Sequence, residues 1–171
     1  LSSIDKRLAR YVSDHYKPVV LGANKWDLVA DFQREPFVDY LRSELSGLAF
    51  APVRFLSALR GDGVDGLLAT AEELFEESRR RVSTGELNRA LARASDARGP
   101  SSEGSRVRIL YATQAESAPP TFVVFVNDKK LVGKHHIRYL QNRLREELGF
   151  GRVPVRIVLR DRGSSENEGH R

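Results

Sequence analysis

The stretch Val19-Val20-Leu21-Gly22-Ala23-Asn24-Lys25-Trp26-Asp27 decides how the first half of the chain is read. Val19, Val20 and Leu21 are apolar without alternation, the pattern of a short buried strand in a parallel sheet. Asn24, Lys25 and Asp27 follow at its carboxyl end, where open α/β sheets bind their ligands. Upstream, Ser3 to about His15 reads as a helix capped by Ser2 or Ser3, with Ile4, Leu8, Tyr11 and Val12 on one face and Pro18 beyond its end. Downstream, Phe32 to Leu45 places Phe37, Tyr40, Leu41 and Leu45 on one helical stripe. Pro52 to Leu56 is a second strand, ending at Ser57-Ala58-Leu59. After the turn Gly61 to Gly63, a helix runs from about Val64 to Arg81. Strand, helix, strand, helix at this spacing predicts an α/β unit with a parallel sheet.

The second half has a different order. Ser83-Thr84 caps a helix, with Glu86 close behind and a stripe of Leu87, Ala90, Leu91 and Ala94. Residues 97–105 read as a loop. Val107 to Thr113 and Thr121 to Asn127 read as strands around the turn at Pro119-Pro120. A helix from His136 to Leu148 carries Ile137, Leu140, Leu144 and Leu148 on one face, and Val153 to Leu159 is a last strand. Helix, two strands, helix, strand predicts an α+β layer with its helices on one face of the sheet. No internal repeat is found.

The chemistry of Asn24-Lys25-x-Asp27 fits a guanine base. An ionised carboxylate only accepts, and guanine offers two adjacent donors, its ring N–H and its exocyclic amine, that match the carboxylate fork. Adenine lacks both and would leave Asp27 desolvated and unpaired, costing about 1–3 kcal/mol or more. The keto oxygen takes a donor from the backbone N–H of Ala58. Asn24 ties the two loops and reaches the ring nitrogen, while the Lys25 stem lies over the base plane with its ammonium near the ribose. A turn in which Asn24 and Asp27 serve only as local caps is the bland alternative. Gly61-x-Gly63-x-x-Gly66 formally matches a dinucleotide fingerprint, but Asp62 and Asp65 would repel a pyrophosphate there, so a turn and a helix start are expected. The chain has no Gly-x-x-x-x-Gly-Lys-Ser/Thr phosphate loop, and no metal-binding Asp-x-x-Gly precedes Asn24. By itself it is expected not to hydrolyse a nucleoside triphosphate.

Composition sets the remaining bounds. Of 171 residues, 40% are hydrophobic and 30% charged, which excludes a disordered chain. No apolar run approaches the ~20 residues that span a bilayer, so no membrane partner is expected. Without cysteine there are no disulfides or thiolate metal sites. The start at Leu1 and the absence of methionine predict a fragment. Residues 1–78 carry a net −4 and residues 79–171 a net +9, so the second half is expected to face a polyanion, with solvated Arg-rich helix faces as the alternative.

These residues resemble a family. Asn24-Lys25-Trp26-Asp27, and Phe55-Leu56-Ser57-Ala58-Leu59 before Gly61-x-Gly63-Val64, resemble the end of the second GTPase domain of the tandem-GTPase ribosome-assembly proteins called Der or EngA. Arg81-Val82-Ser83-Thr84-Gly85-Glu86-Leu87-Asn88-Arg89 resembles the junction to their C-terminal KH-like domain. Tyr111-Ala112-Thr113-Gln114, Pro119-Pro120-Thr121-Phe122, Phe125-Val126-Asn127 and Tyr139-Leu140-x-Asn142-x-Leu144-Arg145 resemble that domain's strands and final helix. The resemblance runs from about Asp5 to Arg162. It implies a partial P-loop GTPase domain of the α/β class, C-terminal half only, over residues 1–81. An α+β KH-like domain over 82–162 and a disordered tail over 163–171 are expected to follow. It implies GTP or GDP as cofactor, with Mg²⁺ only in the complete parent domain. It implies as partners the large ribosomal subunit and its rRNA in the bacterial cytoplasm, together with the missing N-terminal GTPase domains of the same chain; a monomer is expected. Carried over, Asn24, Lys25 and Asp27 read the base, and Ser57 and Ala58 close over it.

KH domains grip nucleic acid through a Gly-x-x-Gly loop, and none occurs after residue 82. The candidate RNA contacts are therefore Lys129, Lys130, Lys134, His135, His136, Arg138, Arg143 and Arg145. Phe122 and Phe125 point to opposite faces of their strand, so at least one belongs to the core. No third ligand accompanies His135-His136, and no metal is expected. Two alternatives stay open: that this surface docks on the missing GTPase domain, and that the chain is a stand-alone RNA-binding module with a vestigial nucleotide site.

Overall fold

A computed structural model describes residues 1–29, 33–96 and 107–162. Their contacts divide the chain into two units, Leu1–Ser78 with Gly151–Pro154, and Arg79–Phe150 with the chain from Val155 onward. The expected loop at 97–105 and tail at 163–171 lie outside the described residues.

The first unit begins with α1 (Ser3–Asp14). Ser2 and Asp5 start it reciprocally: the Ser2 hydroxyl accepts the Asp5 N–H at 3.2 Å and the Asp5 carboxylate accepts the Ser2 N–H at 2.8 Å. β1 (Leu21–Ala23) and β2 (Val53–Phe55) pair in parallel, Leu21 beside Val53 and Ala23 beside Phe55. α2 (Arg34–Glu44) connects them, starting later than the expected Phe32, which is not among the described residues. Leu41, Leu45, Leu48 and Ala51 form the core, packed by Val12, Val19, Leu21, Phe37 and Val53. The strand expected to be buried is only half-buried at Val19, Val20 and Leu21, because β1 pairs only with β2 among the described residues. α1 buries no residue at all. α3 (Val64–Arg79) is tied to β2 by the buried Thr70, whose hydroxyl accepts from Arg54 at 2.7 Å. Within this unit Arg152 lies between Glu73 and Glu77 of α3, at 2.6 and 3.0 Å.

In the second unit the elements come in the expected order. α4 (Thr84–Asp96) is followed by β3 (Ile109–Glu116), β4 (Thr121–Val126), α5 (Lys134–Leu148) and β5 (Arg156–Asp161). The sheet order is β3-β4-β5, antiparallel then parallel. One sheet face, with Ala112, Phe122, Val124, Val126 and Ile157, is buried together with Leu87, Ala90, Leu91 and Ala94 of α4 and Leu140, Leu144 and Leu148 of α5. Phe122 belongs to this core and Phe125 does not.

Two side-chain amides finish backbone pairings that the sheet leaves open. Asn88 donates to the Ala112 carbonyl and accepts the Ala112 N–H, both at 2.9 Å. Gln114 accepts the Val82 N–H at 2.8 Å and donates to the Arg80 carbonyl at 3.0 Å. α5 ends at Gly149, whose φ of 69° suits glycine. Arg80 caps that end through the Leu148 carbonyl, its guanidinium 4.6 Å from the centre of the Phe150 ring.

Candidate functional site

The two loops after β1 and β2 are stitched by backbone and side chain. Leu56 donates its N–H to Ala23 at 3.0 Å, and Trp26 donates to Leu56 at 3.1 Å. The Asn24 side-chain oxygen accepts the N–H of Lys25 at 2.8 Å and that of Ala58 at 3.0 Å. Asn24 thus joins the loops, and it does so with the very N–H that sequence reasoning gave to a keto oxygen. Lys25 stands exposed at a left-handed φ of 61°, and Trp26 to Leu28 make a single 3₁₀ turn. The Trp26 ring sits 4.3 Å from Phe55 and 5.4 Å from Phe37, anchoring that turn to β2 and α2.

Asp27 keeps only 8% of its side chain exposed, and the Arg60 Nε stands 3.7 Å from its carboxylate. Arg60 is the residue sequence reasoning missed. Its approach follows from the turn: Ser57 donates its N–H to Asp62 at 2.9 Å, and its hydroxyl accepts the Arg60 N–H at 3.3 Å. Ser57 is buried and spends its groups on this turn, while Ala58 is exposed. Gly61 and Gly63, at φ 80° and 75°, make the reversal possible, and a Cβ at Gly63 would strike the Phe55 carbonyl. Asn24, Asp27, Ala58 and Arg60 are thus drawn to one place, with Lys25 beside them.

The basic candidates separate into two groups. Lys129 pairs with Asp161 at 3.6 Å, and Arg143 with Glu146 and Glu147 at 3.2 and 3.4 Å. Arg145 is half-buried, bonded to Asn142 at 2.7 Å, and burial pulls its pKa down. Lys130, Lys134 and Arg138 are exposed, with no ion pair among the described residues. His135 is exposed and His136 half-buried, their rings 4.0 Å apart. The cations open to solvent thus lie before and early in α5. Its later part is neutralised by glutamates, and a hydrogen bond from Arg93 holds the Glu147 carboxyl below its ordinary pKa. No cluster of three metal-ligating side chains occurs among the described residues, and no helix there is long and apolar enough to cross a membrane.

Comparison with known proteins places this architecture. Residues 81–160 match the family described as the KH-domain-like of EngA bacterial GTPase enzymes, C-terminal. The second unit is therefore a KH-like domain of a bacterial GTPase class. The GTPase Der of Rhodopirellula baltica is 38% identical over 172 residues, covering 99% of this chain and 38% of that protein. Those of Moorella thermoacetica and Heliobacterium modesticaldum are 42% and 41% identical over 159 and 163 residues, covering 91% and 92% of this chain and 36% of each relative. Residues 81–160 thus carry the KH-like domain of the EngA family, and nearly the whole chain is similar to GTPase Der proteins while spanning little more than a third of the length of the curated relatives it matches.

Proposed function

We propose that the first unit is the base-reading half of a guanine-nucleotide-binding domain, and that the complete parent is a GTPase acting in assembly of the large ribosomal subunit. The observation that carries this is the pair Asp27–Arg60. A nearly buried carboxylate at the carboxyl end of a parallel strand has the Arg60 Nε 3.7 Å from one of its oxygens, and its own pair of oxygens suits the two adjacent N–H donors on the edge of guanine. Asn24 fixes the loop that holds this carboxylate, and Lys25 is exposed beside it. A keto oxygen would share or take over the Ala58 N–H. GTP or GDP is the ligand, and Mg²⁺ and phosphate contacts come from the rest of the parent domain. That remainder also covers the free side of β1 and the outward stripe of α1. A cavity of about 340 Å³ lined by Leu8, Val12, Leu21, Phe37 and Leu41 lies there to receive it.

The second unit, on this reading, contacts rRNA in the bacterial cytoplasm, with Lys130, Lys134 and Arg138 neutralising phosphates. The nucleotide assignment is tested in the full-length parent by competing fluorescent GDP with GDP and xanthosine diphosphate, with and without Asp27→Asn. An amide at 27 offers a donor where guanine also donates, so guanine affinity is expected to fall about 100-fold or more while xanthine binding rises. Unchanged base preference would reduce the tetrapeptide to a turn.

A further inference from the structure

The other face of the second unit's sheet carries an aromatic pair that takes no part in the core. Val123 and Phe125 of β4 alternate with the buried Phe122, Val124 and Val126 and remain half-exposed. Beside Phe125 in register stands Tyr111 of β3. Their rings lie nearly parallel, centroids 4.3 Å apart at 14°, and Tyr111 keeps 45% of its surface exposed. On the opposite flank β5 sets Arg160 beside Phe125 and Val158 beside Val123. Arg156 and Arg160 are exposed, as are Arg108 and Arg162, which continue β3 and β5 beyond the aromatic row. None of the four arginines has an ion pair among the described residues. The carboxylate of this strand pair, Glu116, stands opposite Thr121 at the far end, roughly 13 Å along the strand from Phe125.

An ordered aromatic ring open to solvent, flanked by unpaired guanidinium groups, suits a ligand with both flat faces and negative charge. Unpaired nucleotides have both, whereas a duplex hides its base faces. We propose that this sheet face is a stacking platform for unpaired RNA: a base stacks on Tyr111, Phe125 backs the ring, and Arg160 with Arg108 meets the flanking phosphates. The platform rests on the RNA reading of the second unit but puts base contact on the sheet, away from the cations around α5. Phe125 holds Tyr111 in place before any base arrives, so little side-chain freedom is lost on binding. An exposed cross-strand pair that merely steadies its sheet contributes about 0.2–1 kcal/mol to folding and nothing to RNA affinity.

The test uses the whole chain, a labelled ten-nucleotide single-stranded RNA and a duplex of equal length, with Tyr111→Leu compared with the double change Lys134→Glu and Arg138→Glu. Tyr111→Leu is expected to lower single-strand affinity about tenfold and leave the duplex unaffected. Ultraviolet crosslinking of the unaltered chain is expected to place an adduct on Tyr111 or Phe125, a readout that needs no variant to fold. Adducts confined to α5, or unchanged single-strand binding by a folded Tyr111→Leu chain, overturn the platform while leaving the RNA reading in place. If neither probe binds at low salt, the RNA reading itself fails. A crosslink from Tyr111 to a peptide in place of a nucleotide reassigns the face to a protein partner.

Discussion

Helices α1 and α5 carry equally regular apolar stripes and treat them in opposite ways. Leu140, Leu144 and Leu148 of α5 are 6%, 0% and 3% exposed, whereas Ile4, Leu8 and Tyr11 of α1 are 62%, 58% and 61% exposed. A stripe at helical spacing states that a face is to be covered and leaves open what covers it. The second unit closes its core with its own sheet. The first leaves the stripe of α1, together with Leu68 and Phe75 of α3, exposed.

The contrast is broken most strongly at Leu144. Leu144→Ala should cost about 2–5 kcal/mol because nothing can refill that site. Leu8→Ala in this chain should stay within about 0.5 kcal/mol. Urea unfolding followed by far-UV circular dichroism reads the first, and fluorescence of Trp26, the single tryptophan, reads the second. If Leu8→Ala becomes as costly as a core change in the full-length parent, the stripe is covered there. Gly63→Ala should destabilise the first unit by about 1–3 kcal/mol, through its left-handed φ and the clash with Phe55, and Trp26 fluorescence should show it.

Smaller effects sharpen the comparison. Arg60→Ala in the parent should raise guanine affinity by up to about fivefold, since an ion pair whose guanidinium is solvent-exposed, worth at most ~1 kcal/mol, no longer competes for Asp27; titration with fluorescent GDP measures it. In the second unit Glu147 is held below its ordinary pKa of 4.5 by Arg93, so the folded state binds fewer protons than the unfolded one below that pH. The stability this pair contributes is complete above about pH 4.5 and is lost as pH falls through the lowered pKa. Arg93→Gln should flatten that acid limb in a urea series between pH 3 and 6.

Much of this was legible from residue order. The capping signal at Ser2, the paired loops after Leu21 and Phe55, and the stripes of α4 and α5 all rest on local spacing, which sequence displays directly. Arg60 was not legible, because its meeting with Asp27 depends on two loops being brought together by Asn24 and turned by Gly61 and Gly63. The half-exposure of Val19 and Val20 was hidden for a similar reason: apolarity records the environment a strand is built for, and among the described residues β1 pairs with β2 alone. The stack of Tyr111 on Phe125 needs the register of β3 on β4, which a β-bulge between Ile109 and Tyr111 shifts. Helix α5 begins at Lys134, earlier than its apolar stripe, because polar residues extend a first turn without adding to the stripe.

The amide of Asn88 has a consequence for the ageing of the protein. Its nitrogen donates to the carbonyls of both Thr84 and Ala112 while its oxygen accepts the Ala112 N–H. Spontaneous hydrolysis of that side chain, releasing ammonia and leaving aspartate, would turn both donated bonds into oxygen facing oxygen at neutral pH. One deamidation, adding a single dalton, would thus remove the side-chain hydrogen bonds by which α4 holds the backbone of β3 at Ala112, leaving only their apolar packing.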